Sequence, residues 1–105
     1  MTHISLDEIL KWEKQEDKYT FTVLDKNHFD VELKRYPPER KGEYTNLTHD
    51  RDELYYVMSG SGEVSVGDDT YESKEGEMIF VEQGVEHEFH NRENEIVVLK
   101  ILAGS

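Results

Sequence analysis

The feature that most constrains this chain is the period of its apolar residues. Tyr19, Phe21 and Val23 alternate with Thr20 and Thr22, and Phe29, Val31 and Leu33 alternate with Asp30, Glu32 and Lys34. A period of two puts every second side chain on one face of a strand, so both stretches predict half-buried β-strands rather than helix. Turn residues cut the chain at short intervals. Asp25, Lys26 and Asn27 form one turn-like cluster, Pro37, Pro38 and Gly42 mark a loop, and residues 59–62 a tight turn. Gly67, Asp68 and Asp69 suit a hairpin, and Gly76 and Gly84 further turns. The run 96–102 is nearly continuous in apolar residues, as a strand covered on both faces would be. Many short strands in one small chain predict an all-β sandwich or barrel, closure being the usual way to remove exposed edges.

One helix precedes the strands. Ser5 followed by Leu6, Asp7 and Glu8 has the form of a capping box, and Leu6, Ile9 and Leu10 share a helical face. The apolar spacing stops in the polar stretch 13–18. The expected organisation is therefore a single domain over 1–105, with a helical extension over 1–18 and a β-barrel over 19–105, Trp12 packing the helix against the barrel. A chain of 105 residues and 12.4 kDa buries a modest fraction of its surface. Together with the doubly apolar run 96–102, this predicts a homodimer.

Charge narrows the partners. The net charge of −12 would repel phosphate backbones and anionic lipid, so neither nucleic acid nor a membrane surface is an expected partner. There is no cysteine, which removes disulfides, zinc-thiolate sites, iron-sulfur clusters and thiol nucleophiles together. Any metal must be held by nitrogen and oxygen. A basic segment leading into an apolar core is missing from the N-terminus, and a cytoplasmic location is the resulting expectation.

The chemistry concentrates in two stretches. His49 and Glu53 are four residues apart, and Leu54, Tyr55, Tyr56 and Val57 give that segment strand character, so Tyr55 and Val57 should share a face with Glu53. Further on, the turn at residues 83–85 leads into a segment carrying His87, Phe89 and Asn91 on one face. Two imidazoles and a carboxylate brought together inside a barrel suit Fe, Mn, Ni, Zn or Cu.

These residues resemble the two motifs of the cupin superfamily. Gly42, His49, Glu53 and Gly60 stand where the first motif has its glycine, second histidine, glutamate and closing glycine, and Gly76, Gly84, His87 and Asn91 match the second. The chain departs from the pattern at Leu47, where the first histidine of the pair is usual, and at Glu82, where proline is usual. The resemblance implies a small double-stranded β-helix (jelly-roll) barrel and a divalent metal held by His49, Glu53 and His87. Cupins include dioxygenases, decarboxylases, isomerases and lyases.

The plainer expectation for His49 and His87 is a pair of hydrogen-bonded barrel histidines without metal. Against it stands Glu53, a carboxylate that would lie inside an apolar barrel without a counter-ion, at high cost unless paired. Arg51 lies on the same nominal face and would either steer an anionic substrate or neutralise Glu53. Tyr55 and Phe89 would line a substrate pocket or serve as ordinary core. His3, His28 and His90 read as surface residues. The first expectation for function is thus a metal-dependent enzyme acting on a small polar or carbonyl substrate. The alternatives are a non-catalytic module binding a metal or small ligand, and a metal-free domain kept for assembly.

Overall fold

The computed structural model describes residues 3–9, 11, 20–37, 50–90 and 94–104. Ser5 caps a helical turn at Leu6, its Oγ accepting from the Glu8 amide at 3.4 Å and its carbonyl from the Ile9 amide at 3.3 Å. Trp12 and residues 13–18 lie outside the described residues.

Among the described residues eight strands follow: β1 (Thr20–Asp25), β2 (Phe29–Tyr36), β3 (Glu53–Ser59), β4 (Ser61–Val66), β5 (Asp69–Lys74), β6 (Met78–Val81), β7 (His87–His90) and β8 (Ile96–Ala103). They form two antiparallel sheets, one in the order β1-β2-β8-β3-β6 and one in the order β5-β4-β7. Tyr55, Val57, Val81, Ile96 and Val98 of the larger sheet bury against Val64 and Phe89 of the smaller. Two sheets closing over one core give the barrel that the alternation predicts, in the jelly-roll form that the resemblance implies.

Glycine sits where the turns demand it. Gly67 takes a positive φ of 59° in the hairpin whose flanking pair is Val66 and Asp69. Gly60, between β3 and β4, is constrained twice: its φ is 85°, and a Cβ there would collide with the backbone carbonyl of Glu95. At the first turn the sequence expectation needs adjustment. β1 runs through Leu24 to Asp25 past an irregularity between Thr22 and Leu24, so Asp25 ends the strand instead of opening the turn.

The register decides which side chains look inward, because residues directly opposed in an antiparallel ladder share a face. Lys100 of β8 opposes Glu32 of β2 and Tyr55 of β3. Glu32, Lys34 and Tyr36 of β2 therefore face the barrel, while Val31 and Leu33 face away from it. The outer face carries two apolar rows across the large sheet. One runs Leu33, Leu99, Tyr56, Met78, and the other Val31, Ile101, Leu54, Phe80. The apolar stripe of β2 is thus packed on the sheet's outer surface, where Leu33 has no exposure at all. β8 lies centrally between β2 and β3; its inward residues Ile96, Val98, Lys100 and Leu102 are buried, and its outward Leu99 and Ile101 are half-buried.

Candidate functional site

β3 begins at Glu53, and residues 50 and 51 form a bend, so the four-residue spacing from His49 to Glu53 does not follow a continuous strand. His49, Leu47 and Asn91 lie outside the described residues. Glu53 and His87 are brought together from β3 and β7, inside the barrel. Their side chains are 0% and 2% exposed, and His87 Nε2 lies 2.9 Å from Glu53 Oε2.

Two further groups complete the cluster. Tyr55, two residues along β3 and so on the same face, donates from its hydroxyl to Glu53 Oε2 at 3.2 Å and lies 3.0 Å from His87 Nε2. Lys100 of β8 places Nζ 3.1 Å from Glu53 Oε1 and 3.8 Å from Glu32 Oε1, with a side chain 2% exposed. The other ring nitrogen of His87 points at the Val85 carbonyl at 3.1 Å, which holds the imidazole in the plane that faces Glu53.

The electrostatics follow from this packing. Burial alone pushes the Glu53 carboxyl up, but the His87 hydrogen bond and the Lys100 charge outweigh it and hold the pKa at about 2. Glu53 is therefore an ionised acceptor. Burial pushes the Tyr55 phenol far above its ordinary range, reinforced by Tyr36 and Glu53, so Tyr55 stays a neutral donor. Lys34, on the same inward face of β2, has its ammonium pulled below the usual lysine range by burial and by the nearby charge of Lys100. Its Nζ lies 5.8 Å from the centre of the Tyr36 ring, and it has no ion-pair partner among the described residues.

Several expectations change. Glu53 does have a counter-ion, and it is Lys100, which removes the desolvation argument that favoured a metal. Arg51 pairs with Asp30 and not with Glu53; both of its terminal nitrogens reach Asp30 Oδ2 at 2.9 Å. Phe89 is core, edge-on to Tyr55 with ring centres 5.3 Å apart. Tyr55 is both core and polar partner. His90 is half-buried instead of superficial, 2.7 Å from Ser65 Oγ, while His3 and His28 are exposed as expected.

As arranged, the described residues do not fit a resident divalent ion. Each oxygen of Glu53 already faces a polar group, one of them an ammonium that a divalent cation would have to displace or approach closely. Among the described residues, no group of three or more histidines and carboxylates converges as a metal would need. Lys100 went unseen because it interrupts an apolar run that reads as buried strand. Parity could have found it, since it falls two residues from Val98 and Leu102 on the inward face.

The profile of the cupin domain family matches residues 33–103, and the chain belongs to that family. An uncharacterized protein of Streptomyces coelicolor is 34% identical over 55 residues, which span 52% of each chain, so this protein covers about half the length of that curated relative. The solved structure of TT1209 from Thermus thermophilus superposes with a TM-score of 0.78 at 18% identity, over 99% of this chain and 98% of that one. The DMSP lyase DddQ of Ruegeria pomeroyi superposes at 0.74 and 15% identity, over 82% of this chain and 46% of the lyase. These similarities speak for the barrel alone.

Proposed function

We propose that this cupin binds a small molecule bearing a carboxylate or similar oxyanion at the polar end of its barrel, with Lys34 receiving the anion. The observation that carries this reading is the 3.1 Å contact between Lys100 and Glu53. Lys100 neutralises the carboxylate that a metal would otherwise occupy. Lys34 is then a second inward cation, half-buried and without a described ion-pair partner, with Glu32 and Glu53 acting on it only from a distance, and an anionic ligand would offset the cost of that buried charge. Tyr55 gives its proton to Glu53 and His87 is fixed by the Val85 carbonyl, so both brace Glu53 instead of donating to the ligand. Thermal-shift titration with acetate, pyruvate, citrate and phosphate tests it. At least one of these should raise the melting temperature of the wild type in a dose-dependent way and lose that effect in Lys34→Met. Equal stabilisation of both proteins, or none of either, would remove Lys34 from the site.

A second reading keeps a divalent metal on His49, Glu53 and His87, as part of a metal-dependent enzyme. One distance favours it. Two donors bound at about 2.0–2.2 Å and roughly at right angles on one ion lie about 3 Å apart, close to the 2.9 Å between His87 Nε2 and Glu53 Oε2. It requires Lys100 to release Glu53. Calorimetric titration with Mn, Fe and Zn separates the readings, because a metal that binds the wild type tightly and loses affinity in His87→Ala belongs to this second one.

A further inference from the structure

The outer face of the smaller sheet carries a polar cluster of its own. Val64 and Phe89 point into the core, so their neighbours along β4 and β7 look outward, and two rows of side chains cross the face. One row is Thr70, Ser65 and Glu88, and the next is Glu72, Glu63 and His90. Within this block Ser65 Oγ lies 2.7 Å from His90 Nε2 and 3.1 Å from Thr70 Oγ1. The other ring nitrogen of His90, Nδ1, lies 3.5 Å from Glu63 Oε2.

We propose that Ser65 is a nucleophile activated by His90 and oriented through Glu63, and that it accepts the acyl group of small uncharged aryl esters on the outer face of the smaller sheet. The proposal does not depend on what the barrel interior binds.

The direction of the hydrogen bonds carries the argument. A carboxylate only accepts, so in a neutral imidazole the nitrogen that faces Glu63 is the one that keeps the proton. Nε2 is then the acceptor, and Ser65 donates to it. Thr70 in turn donates to Ser65 Oγ. At 3.5 Å the Glu63 contact is longer than a formed hydrogen bond, but it sets the tautomer, and contacts of this kind are often loose before a substrate arrives. Nucleophile, base and orienting carboxylate in that order make an acyl-transfer triad whatever the fold that carries them. The sheet holds it in place, because Ser65 and Glu63 are two residues apart on the central strand and His90 stands on the neighbouring one.

The step balances. Ser65 Oγ bonds to the acyl carbon while its proton passes to His90 Nε2, and the bond to the aryl oxygen breaks, that oxygen leaving with the proton from His90. Water, giving a proton to His90, then attacks the acyl carbon, releases the carboxylic acid and restores the Ser65 hydroxyl.

The surroundings choose the substrate. β4 lies between β5 and β7, so its amides are committed to the two ladders and form no oxyanion hole beside Ser65. Acceleration then rests on the base and on the leaving group, which selects aryl esters over alkyl esters and amides. Glu63, Glu72 and Glu88 stand on the same face as the nucleophile, so an anionic ester is repelled.

The test uses the full chain and an uncharged alkyl fluorophosphonate, which reports an activated serine without turnover: Oγ bonds to phosphorus, fluoride leaves and the proton goes to His90. Peptide mass mapping should place the adduct on Ser65, with none at that position in Ser65→Ala. His90→Ala should react at least about 100-fold more slowly, the lower end of what a general base contributes, and added imidazole should restore part of the rate, which a purely structural histidine would not allow. Glu63→Gln, whose amide can hold the ring in the wrong tautomer, should slow the reaction at saturating reagent without weakening reagent binding. Of two esters with one leaving group, 4-nitrophenyl hexanoate should acylate Ser65 faster than the anionic mono(4-nitrophenyl) adipate. Circular dichroism confirms that each variant folds, and if His90→Ala does not, His90→Gln takes its place. A folded wild type that takes no label at Ser65 overturns the proposal. So does labelling that is as fast in His90→Ala, or in urea-unfolded wild type, as in the native protein; equal rates with the two esters, or no rescue by imidazole, count against it as well.

Discussion

At the scale of single residues, the ion pair of Lys100 with Glu53 should govern both stability and acid response. Lys100→Met leaves Glu53 charged and buried without its cation, a type of change that costs about 3–5 kcal/mol. The double variant Lys100→Met with Glu53→Gln removes both charges and should recover most of that loss. Urea unfolding of the three proteins measures this, and a single-variant loss below about 1 kcal/mol would mean that the pair does not hold Glu53. The depressed Glu53 pKa has a defined sign. A carboxyl near 2 in the fold and about 4.3 when unfolded contributes about 3 kcal/mol that is present above pH 4 to 5. That contribution is lost as pH falls toward 2. The difference in stability between wild type and Glu53→Gln should therefore shrink over that window, and a difference constant with pH would contradict the assignment. Gly60 gives a separate test. Gly60→Ala combines a strained φ with a backbone collision, whereas Gly76→Ala meets open space. The first should cost several kcal/mol and the second about 1 kcal/mol. Glu53 and His87 were legible because two motifs name them, but Lys100 and Lys34 were not. A single cation in an apolar run, or one of several lysines on a strand, shows its role only once the register says which face is inside.

Among the strands, alternation located β1 and β2, the continuous apolar run located β8, and the glycines located the turns at Gly67, Gly76 and Gly84. What alternation does not carry is direction. In β2 the apolar residues cover the sheet from outside while Glu32 and Lys34 look into the barrel, because the interior is polar on that side and the outer surface is itself packed. Both arrangements write the same pattern into the sequence. Leu33 tests the point: although it faces away from the interior, Leu33→Ala should cost about 2–5 kcal/mol, as any fully buried leucine would. A cost under about 1 kcal/mol in chemical denaturation would show that its cover is loose. Arg51 shows a related limit: after the bend before β3 it pairs with Asp30 of β2, which lies in the same inward row as Leu102 and Glu53, so the sequence named its face but not its partner.

For the molecule as a whole, the excess of carboxylates predicts a stability that depends on salt. A net charge of −12 on a chain with a radius of gyration of 13.5 Å places like charges within one screening length in dilute buffer. Raising sodium chloride from about 10 mM to 0.5 M shortens that length several-fold and should raise the melting temperature; a flat or falling curve would show that ion pairs outweigh the repulsion. The central place of β8 has a consequence for how the barrel comes into being. β1 pairs with β2, and β3 with β6, but the two pairs share no ladder with each other and are joined through β8. During synthesis the ribosome releases every other strand of the large sheet before the one that bridges them, so the barrel cannot close until residue 103 is clear of the exit tunnel. Folding is then a late, concerted event with long loops to close, slower than that of a chain built from neighbouring hairpins. A nascent chain stalled before Ile96 should stay open to protease, and one extended past residue 103 by the length of the tunnel should become resistant in a single step.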